Sequence, residues 1–171
     1  MGLKVGEVKL EKWSPKWRED FEIEKRNLEG IFGDLALSIQ HVGSTSVEGL
    51  SAKPIIDIAV GLESLSDFEL MRDRFRQLPN YSIKEENTPG EILVRKGPEE
   101  NRMAFIHVME QSGDRMKQTI QFRDILNDNL KVRREYEKLK IDLAKKFPHD
   151  RKSYTAAKND FIQDTLREYG S

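Results

Sequence analysis

The sequence predicts an α+β fold, a mixed β-sheet with flanking helices and a C-terminal helical cap. Three observations predict the α+β class. Short apolar or alternating runs bounded by turn residues fill the interval from 35 to 109, with one helical interval among them. After Gly113 no glycine occurs until Gly170, and apolar residues there recur at helical spacing. With 171 residues, 37% of them hydrophobic, the chain is long enough to bury a core without disulfides.

Ser14-Pro15 followed by Trp17, Phe21, Leu28 and Phe32 reads as a capped amphipathic helix with Gly30 near its end, and the two tryptophans as core anchors on its apolar side. Leu35 to Val42 alternates as a strand does. Ile55 to Val60 is an apolar run too short for a typical helix, with Asp57 inside it. Ser66-Asp67-Phe68-Glu69 has the spacing of a capping box, and Phe68, Met71, Phe75 and Leu78 continue it as a helix over 66–78 that Pro79-Asn80 stops. Three strand-like stretches, 81–85, 91–96 and 102–109, are separated by Thr88-Pro89-Gly90 and Gly97-Pro98, the pattern of an antiparallel meander. Beyond 114 come three helical segments, marked by Phe122 and Leu126, by Val132 and Tyr136, and by Tyr154 and Phe161. The expected organisation is a single domain over 1–171, its sheet core at about 1–112 and a helical tail at about 113–171 packed on the sheet.

The net charge of −1 calls for neither nucleic acid nor an anionic membrane as partner, although 35% of residues are charged. The charge is uneven. Residues 1–113 carry 15 basic and 20 acidic side chains, residues 114–171 carry 14 and 10, so the tail is the basic part. Cysteine is absent, which excludes thiol chemistry, thiolate metal sites and disulfides. The first residues alternate charged and apolar side chains instead of forming a signal-peptide core, and no run of about 18 apolar residues occurs, so a cytoplasmic location is expected. Oligomeric state is not legible.

His41-Val42-Gly43-Ser44-Thr45-Ser46 places hydroxyls directly after a glycine, an arrangement that presents donors to phosphate oxygens or, equally, starts a short helix. It is neither a Gly-x-x-x-x-Gly-Lys-Ser/Thr loop nor a Gly-x-Gly-x-x-Gly turn. Twelve residues on from Thr45, Asp57 sits between Pro54-Ile55-Ile56 and Ile58-Ala59-Val60, where a carboxylate loses hydration and needs compensation by a cation, an arginine or several N–H groups. Lys53, four residues away along an extended strand, reads as too distant to pair with it. His107 lies in another apolar stretch, as a metal ligand or a hydrogen-bonded core residue. Tyr154 and Lys158 are four apart and share a helical face.

The segment HVGSTSVEGLSAKPIIDIAV resembles the signature of the GrpB family, a group assigned to the nucleotidyltransferase superfamily of the DNA polymerase beta type. The resemblance runs through Trp17, Phe21 and Glu24, then Phe105-Ile106-His107-Val108, Phe122-Arg123-Asp124, Tyr136-Glu137-Lys138-Leu139-Lys140 and the tail from Tyr154 to Ile162. It implies a site in which Gly43, Ser44 and Thr45, with Lys53, Arg123, Tyr154 and Lys158, hold a nucleotide's phosphates. Asp57 is the implied catalytic carboxylate and ligand of Mg2+ or Mn2+, and His107 a second metal ligand. The implied activity is transfer of a nucleotidyl group to an acceptor that the sequence does not name. The alternative is a catalytically inactive nucleotide- or CoA-binding accessory module, since the family is also seen fused to dephospho-CoA kinase. One departure weighs on the choice: active members of the superfamily carry Asp-x-Asp on the second strand, and here position 59 is Ala.

Overall fold

The computed structural model describes residues 2–86 and 88–170. Helix α1 (Lys16–Phe32) leads into strand β1 (Ser38–Val42), a helical turn (Ser44–Ser46), strand β2 (Ile56–Leu62) and helix α2 (Glu69–Gln77). Strands β3 (Tyr81–Ile83), β4 (Glu91–Lys96) and β5 (Ala104–Glu110) follow, then helices α3 (Asp114–Asp128), α4 (Leu130–Lys146) and α5 (Arg151–Tyr169). The five strands form one mixed sheet in the order β1-β2-β5-β4-β3. β3, β4 and β5 are the antiparallel meander their turn residues foretell, β1 pairs antiparallel with β2, and β2 runs parallel to β5 with Ile58 opposite Ile106.

Period-two alternation divides the sheet into a core face and a working face. Ile56, Ile58, Val60 and Leu62 of β2, with Ile106 and Val108 of β5, pack under Phe21, Leu28 and Phe32 of α1 and Phe75 of α2. The alternate positions hold Asp57 and Ala59 on β2, His107 and Met109 on β5 and Glu91 on β4. There α3 lies against the sheet through Met116 and Ile120, which meet Val42, Ala59 and Met109. The rest of the tail does not pack on the sheet as expected. Leu126 of α3, together with Val132 and Tyr136 of α4, closes instead over Val47 and Leu50 in the connection between β1 and β2, so the tail buries the loop that carries the turn.

Local geometry shifts several expected boundaries. Gly33 adopts φ +56° and the chain coils through Gly33–Leu35, which delays β1 to Ser38. The helix expected over 66–78 is a tight turn at Leu65–Phe68 running into α2, and Ser66 caps nothing, because its hydroxyl bonds that of Ser64 at 2.8 Å. Ser14 does cap α1, accepting from the Lys16 N–H at 3.2 Å. Trp17 is buried as an anchor, and Trp13 is half-buried against the same core.

Helix α1 is tied to the sheet by a buried acid as well as by apolar contact. Glu24, 2% exposed, accepts from the Tyr81 hydroxyl at 2.5 Å and pairs with the Lys96 ammonium. That bond keeps α1 in register with the far edge of the sheet, while Phe21 stacks on His41 at 4.8 Å at the near edge. Removing only the cation leaves a buried carboxylate with two neutral donors, the Tyr81 hydroxyl and the Asn27 amide, which costs far more than replacing the pair. Lys96→Met is therefore expected to lower stability by about 3–5 kcal/mol in urea unfolding, and Glu24→Gln combined with Lys96→Met to recover most of the loss; a cost below about 1 kcal/mol for the single variant contradicts the buried-pair account.

Candidate functional site

The turn after β1 is built around a close approach. Gly43 sits at φ +71°, and a Cβ there would lie 2.6 Å from Asp57 Oδ2, so only glycine lets the turn reach the carboxylate. The hydroxyls that follow divide their roles. Ser46 Oγ donates to the Gly43 carbonyl at 2.5 Å and closes the turn. Thr45, 1% exposed, is bonded through Oγ1 to His41 Nε2 at 2.9 Å, so its hydroxyl belongs to the scaffold rather than to a ligand. Burial holds the His41 imidazole near pKa 4, with Arg123 and Arg18 adding to the effect against the pull of Asp57. Ser44 and Thr45 both line a cavity, and of the two Ser44 is the one whose hydroxyl is not bonded to His41.

That cavity, about 50 Å3, is lined by Ser44, Lys53, Asp57, Lys140, Tyr154 and Lys158 among others. Tyr154, 1% exposed, lies between two ammonium groups, with Lys53 Nζ 5.2 Å and Lys158 Nζ 4.7 Å from its ring centre. Lys140, also 1% exposed, reaches in from α4 and donates to the Ser51 carbonyl. Among the described residues none of these three lysines forms an ion pair with a carboxylate. Burial and the neighbouring Lys158 charge bring the Lys53 ammonium down to about 7, and the same causes push Lys140 well below the usual lysine range.

The separation expected between Lys53 and Asp57 does not hold. β2 begins only at Ile56, and the Ile55 N–H bonds the Lys53 carbonyl at 2.8 Å, so the chain folds back at Pro54 and both side chains line one cavity. Arg123 is also placed differently from its expected phosphate role: Nη1 donates to Gln40 Oε1 at 2.9 Å and to the His41 carbonyl at 3.1 Å, and Nε to Asp124, which staples α3 to β1. It lines a neighbouring groove with Gly43.

On the other side of Asp57 runs a chain of ionic hydrogen bonds. Asp57 Oδ1 meets His107 Nε2 at 2.9 Å, His107 Nδ1 meets Glu91 Oε1 at 2.5 Å, and Arg115 Nε donates to Glu91 Oε2 at 2.7 Å. Burial opposes a charged imidazole, but the bonds from Asp57 and Glu91 outweigh it and raise His107 to about 10. Burial likewise opposes the Glu91 carboxylate, and His107 and Arg115 outweigh that, holding it at about 2. Both His107 nitrogens lie within hydrogen-bond distance of carboxylates, so in this arrangement neither faces an open position for the metal ligation expected of it.

The family model described as GrpB protein matches residues 7–168. The chain is 41% identical over 172 residues to the glutamate-rich protein GrpB of Alkalihalophilus pseudofirmus, which spans 98% of this chain and 99% of that protein. The chain belongs to the GrpB family. It is also 32% identical to the UPF0157 protein YqkA of Bacillus subtilis over 160 residues, 91% of this chain and 45% of that protein. Among solved structures, the conserved protein GrpB from Enterococcus faecalis superimposes with a TM-score of 0.83 at 29% identity, over 95% of this chain and all of the other. The Cid1 poly(U) polymerase, solved with MgATP, matches with a TM-score of 0.52 at 14% identity over 78% of this chain and 43% of its own, a likeness of fold alone. The sheet and its helices are thus those of a nucleotidyltransferase fold.

The side chains around Asp57 do not fit the pair of divalent ions such a fold implies. Ala59 supplies no oxygen and is fully buried, Asp57 Oδ1 is engaged by an imidazolium, and Oδ2 lies against Gly43. Among the described residues no three His, Asp or Glu side chains are grouped to hold a metal ion. No helix among them is long and apolar enough to cross a membrane.

Sequence reasoning missed Lys140, Glu91 and Arg115. Lys140 left a signal, since it falls at i+8 from Val132 and i+4 from Tyr136 on the buried stripe of α4, where a lysine is out of place. Glu91 left none, because its partners, a diagonal neighbour on β5 and an arginine on α3, are set by tertiary placement. The ionic chain has a signature in pH. A histidine raised from 6.5 to about 10 on folding contributes stability that is complete below pH 6.5 and lost as pH rises through 10. Lys53 acts oppositely: its depressed value penalises the folded state below about 7 and relaxes towards 10.5. The stability difference between the native protein and His107→Gln is thus expected to shrink from pH 6.5 to pH 10 in urea titrations, and a difference flat across that window refutes the charged imidazole.

Proposed function

We propose that this chain binds nucleotides through their polyphosphate, using a nucleotidyltransferase fold in which protein cations have taken over charge compensation. The observation that carries the proposal is the convergence of Lys53, Lys140 and Lys158 around Tyr154, in one cavity with Ser44 and a single carboxylate, Asp57, with none of the three lysines in an ion pair among the described residues. Three lysines held so close lose hydration and oppose one another's protonation, effects that a bound polyanion reverses. A phosphate group accepts from several donors at once, which suits lysines converging from β2's approach, α4 and α5. Asp57 is the carboxylate beside this cavity, and a divalent cation belongs to the reading only as the counter-ion a triphosphate brings with it.

Nucleotidyl transfer is the second reading, favoured by the contact between the Gly43 turn and Asp57 at the start of β2. It asks one carboxylate to do what Asp-x-Asp does elsewhere, so binding without turnover, in an accessory role for nucleotides or a CoA-like ligand, accounts better for Ala59 and for the imidazolium at position 107. Pyrophosphate release with a candidate acceptor is the measurement that would add transfer to binding.

Thermal shift and calorimetry with inorganic tripolyphosphate and ATP, with and without Mg2+, test the proposal. A ligand present at a hundred times its Kd adds about 2.7 kcal/mol to apparent stability, and Lys53→Met is expected to weaken binding at least tenfold. An anion beside Lys53 favours its charged form, so binding takes up a proton above pH 7; affinity should be flat from pH 6 to 7 and then fall by up to tenfold per pH unit. Binding that persists in Asp57→Asn without Mg2+ supports the protein-cation account, whereas binding lost with either places a metal at its centre. If neither compound shifts the melting temperature, the proposal fails.

A further inference from the structure

Two cavities meet at the Gly43 turn, and the lysine-lined one is too small for a whole nucleotide. At about 50 Å3 it has room for one phosphate group. Gly43 itself lines a second, larger groove of about 290 Å3 that opens between α3 and α5. Building on the polyphosphate reading above, we propose that this groove receives the nucleobase of the nucleotide whose terminal phosphate enters the lysine cavity.

The geometry of α5 connects the two. Tyr154 and Lys158 face the small cavity, and Asn159, Ile162, Gln163 and Leu166, at i, i+3, i+4 and i+7, face the groove one to two turns further on. From Lys158 to Leu166 the helix advances about 12 Å, a span on the scale of an extended triphosphate and its sugar. The volume is at the lower end of small-molecule sites, about 300–1,000 Å3, which matches a base with part of its ribose rather than a longer ligand.

The lining has the chemistry of a base site. Phe122, Leu126, Ile162 and Leu166 make an apolar floor for the face of a flat heterocycle. Gln118, Asn159 and Gln163 stand at its edge, and a primary amide offers both a donor and an acceptor in one plane, the pairing that the edge of a nucleobase requires. Two cations line the groove as well, Arg115 and Arg123, about two turns apart on α3 and each already fixed by a bond to the sheet, Arg115 through Glu91 and Arg123 through Gln40 beside the turn. Arg123, bonded to the His41 carbonyl just before the turn, puts positive charge where the groove approaches Gly43, the side from which a phosphate chain would enter.

Calorimetry separates this inference from the one it rests on. Tripolyphosphate, ATP, GTP, CTP and UTP are titrated into the native protein, into Asn159→Ala combined with Gln163→Ala, and into Ile162→Trp, which fills the groove; circular dichroism confirms that each variant folds. The expected result is at least one nucleoside triphosphate binding tenfold or more tightly than tripolyphosphate to the native protein. That advantage should fall below about threefold in both variants, with tripolyphosphate binding unchanged. Equal affinity of tripolyphosphate and all four nucleotides for the native protein overturns the base site while leaving polyphosphate binding intact, and an advantage that survives both variants places the base elsewhere. Absence of binding by every compound overturns both.

Discussion

The contact between Gly43 and Asp57 governs the arrangement of everything around it. Because no Cβ intervenes, the turn after β1 lies directly on the carboxylate at the start of β2, within 2.6 Å of where a side chain would begin. That approach fixes where Ser44 faces and directs the chain through Val47 and Leu50 to the surface on which α3 and α4 pack. The tail is thereby drawn over the turn rather than spread on the sheet. Its lysines and amides reach the turn for the same reason: α4 and α5 have their apolar footing on the loop that the glycine makes possible.

Around Asp57 the balance of charge differs on its two sides. Towards β5 and β4 it alternates strictly, Asp57, His107, Glu91, Arg115, each bonded to the next, so that burial costs are met within the protein. Towards α4 and α5 three lysines and one tyrosine share the cavity with Asp57, and Glu137, the acid closest to Lys140 on α4, is engaged by the Ser51 N–H. A folded protein keeps an unbalanced, half-buried cationic cluster at the expense of stability, and such a cluster is most economically explained by an anion that completes it. His107, opposite Ala59 on β5, fits the same logic, since its hydrogen bond occupies one oxygen of Asp57.

Much of the fold was legible because it follows from periodicity. The meander from β3 to β5 was announced by Pro89-Gly90 and Gly97-Pro98, and α1 by Ser14-Pro15 with its apolar stripe, features that act within a few residues of one another. The capping box at Ser66 failed because a hydroxyl two residues away competed for it. The site was legible in its residues and not in its wiring. Gly43, Ser44, Asp57, Lys53, Tyr154 and Lys158 converge, whereas Thr45 and Arg123 proved to bond the scaffold, a distinction that depends on what His41 and Gln40 present from the neighbouring strand. Lys53 was misjudged for a similar reason: an extended chain was assumed where Pro54 reverses it.

The division of labour between sheet and tail also bears on how a ligand is felt. The sheet contributes a rigid face, held by α1 through the buried Glu24 and by parallel pairing of β2 with β5. The tail contributes the amides and all the cations but Lys53, on helices whose apolar contact with the sheet runs through Met116 and Ile120, whose polar contact with it includes Arg115–Glu91 and Arg123–Gln40, and whose other apolar contact is with the β1–β2 connection. An anion between Ser44 and Lys158 would therefore bridge the two parts, adding attraction where apolar contact is thinnest. Ligand binding and docking of the tail then become one equilibrium: whatever neutralises Lys53, Lys140 and Lys158 removes the repulsion that opposes closure of α4 and α5 over the turn.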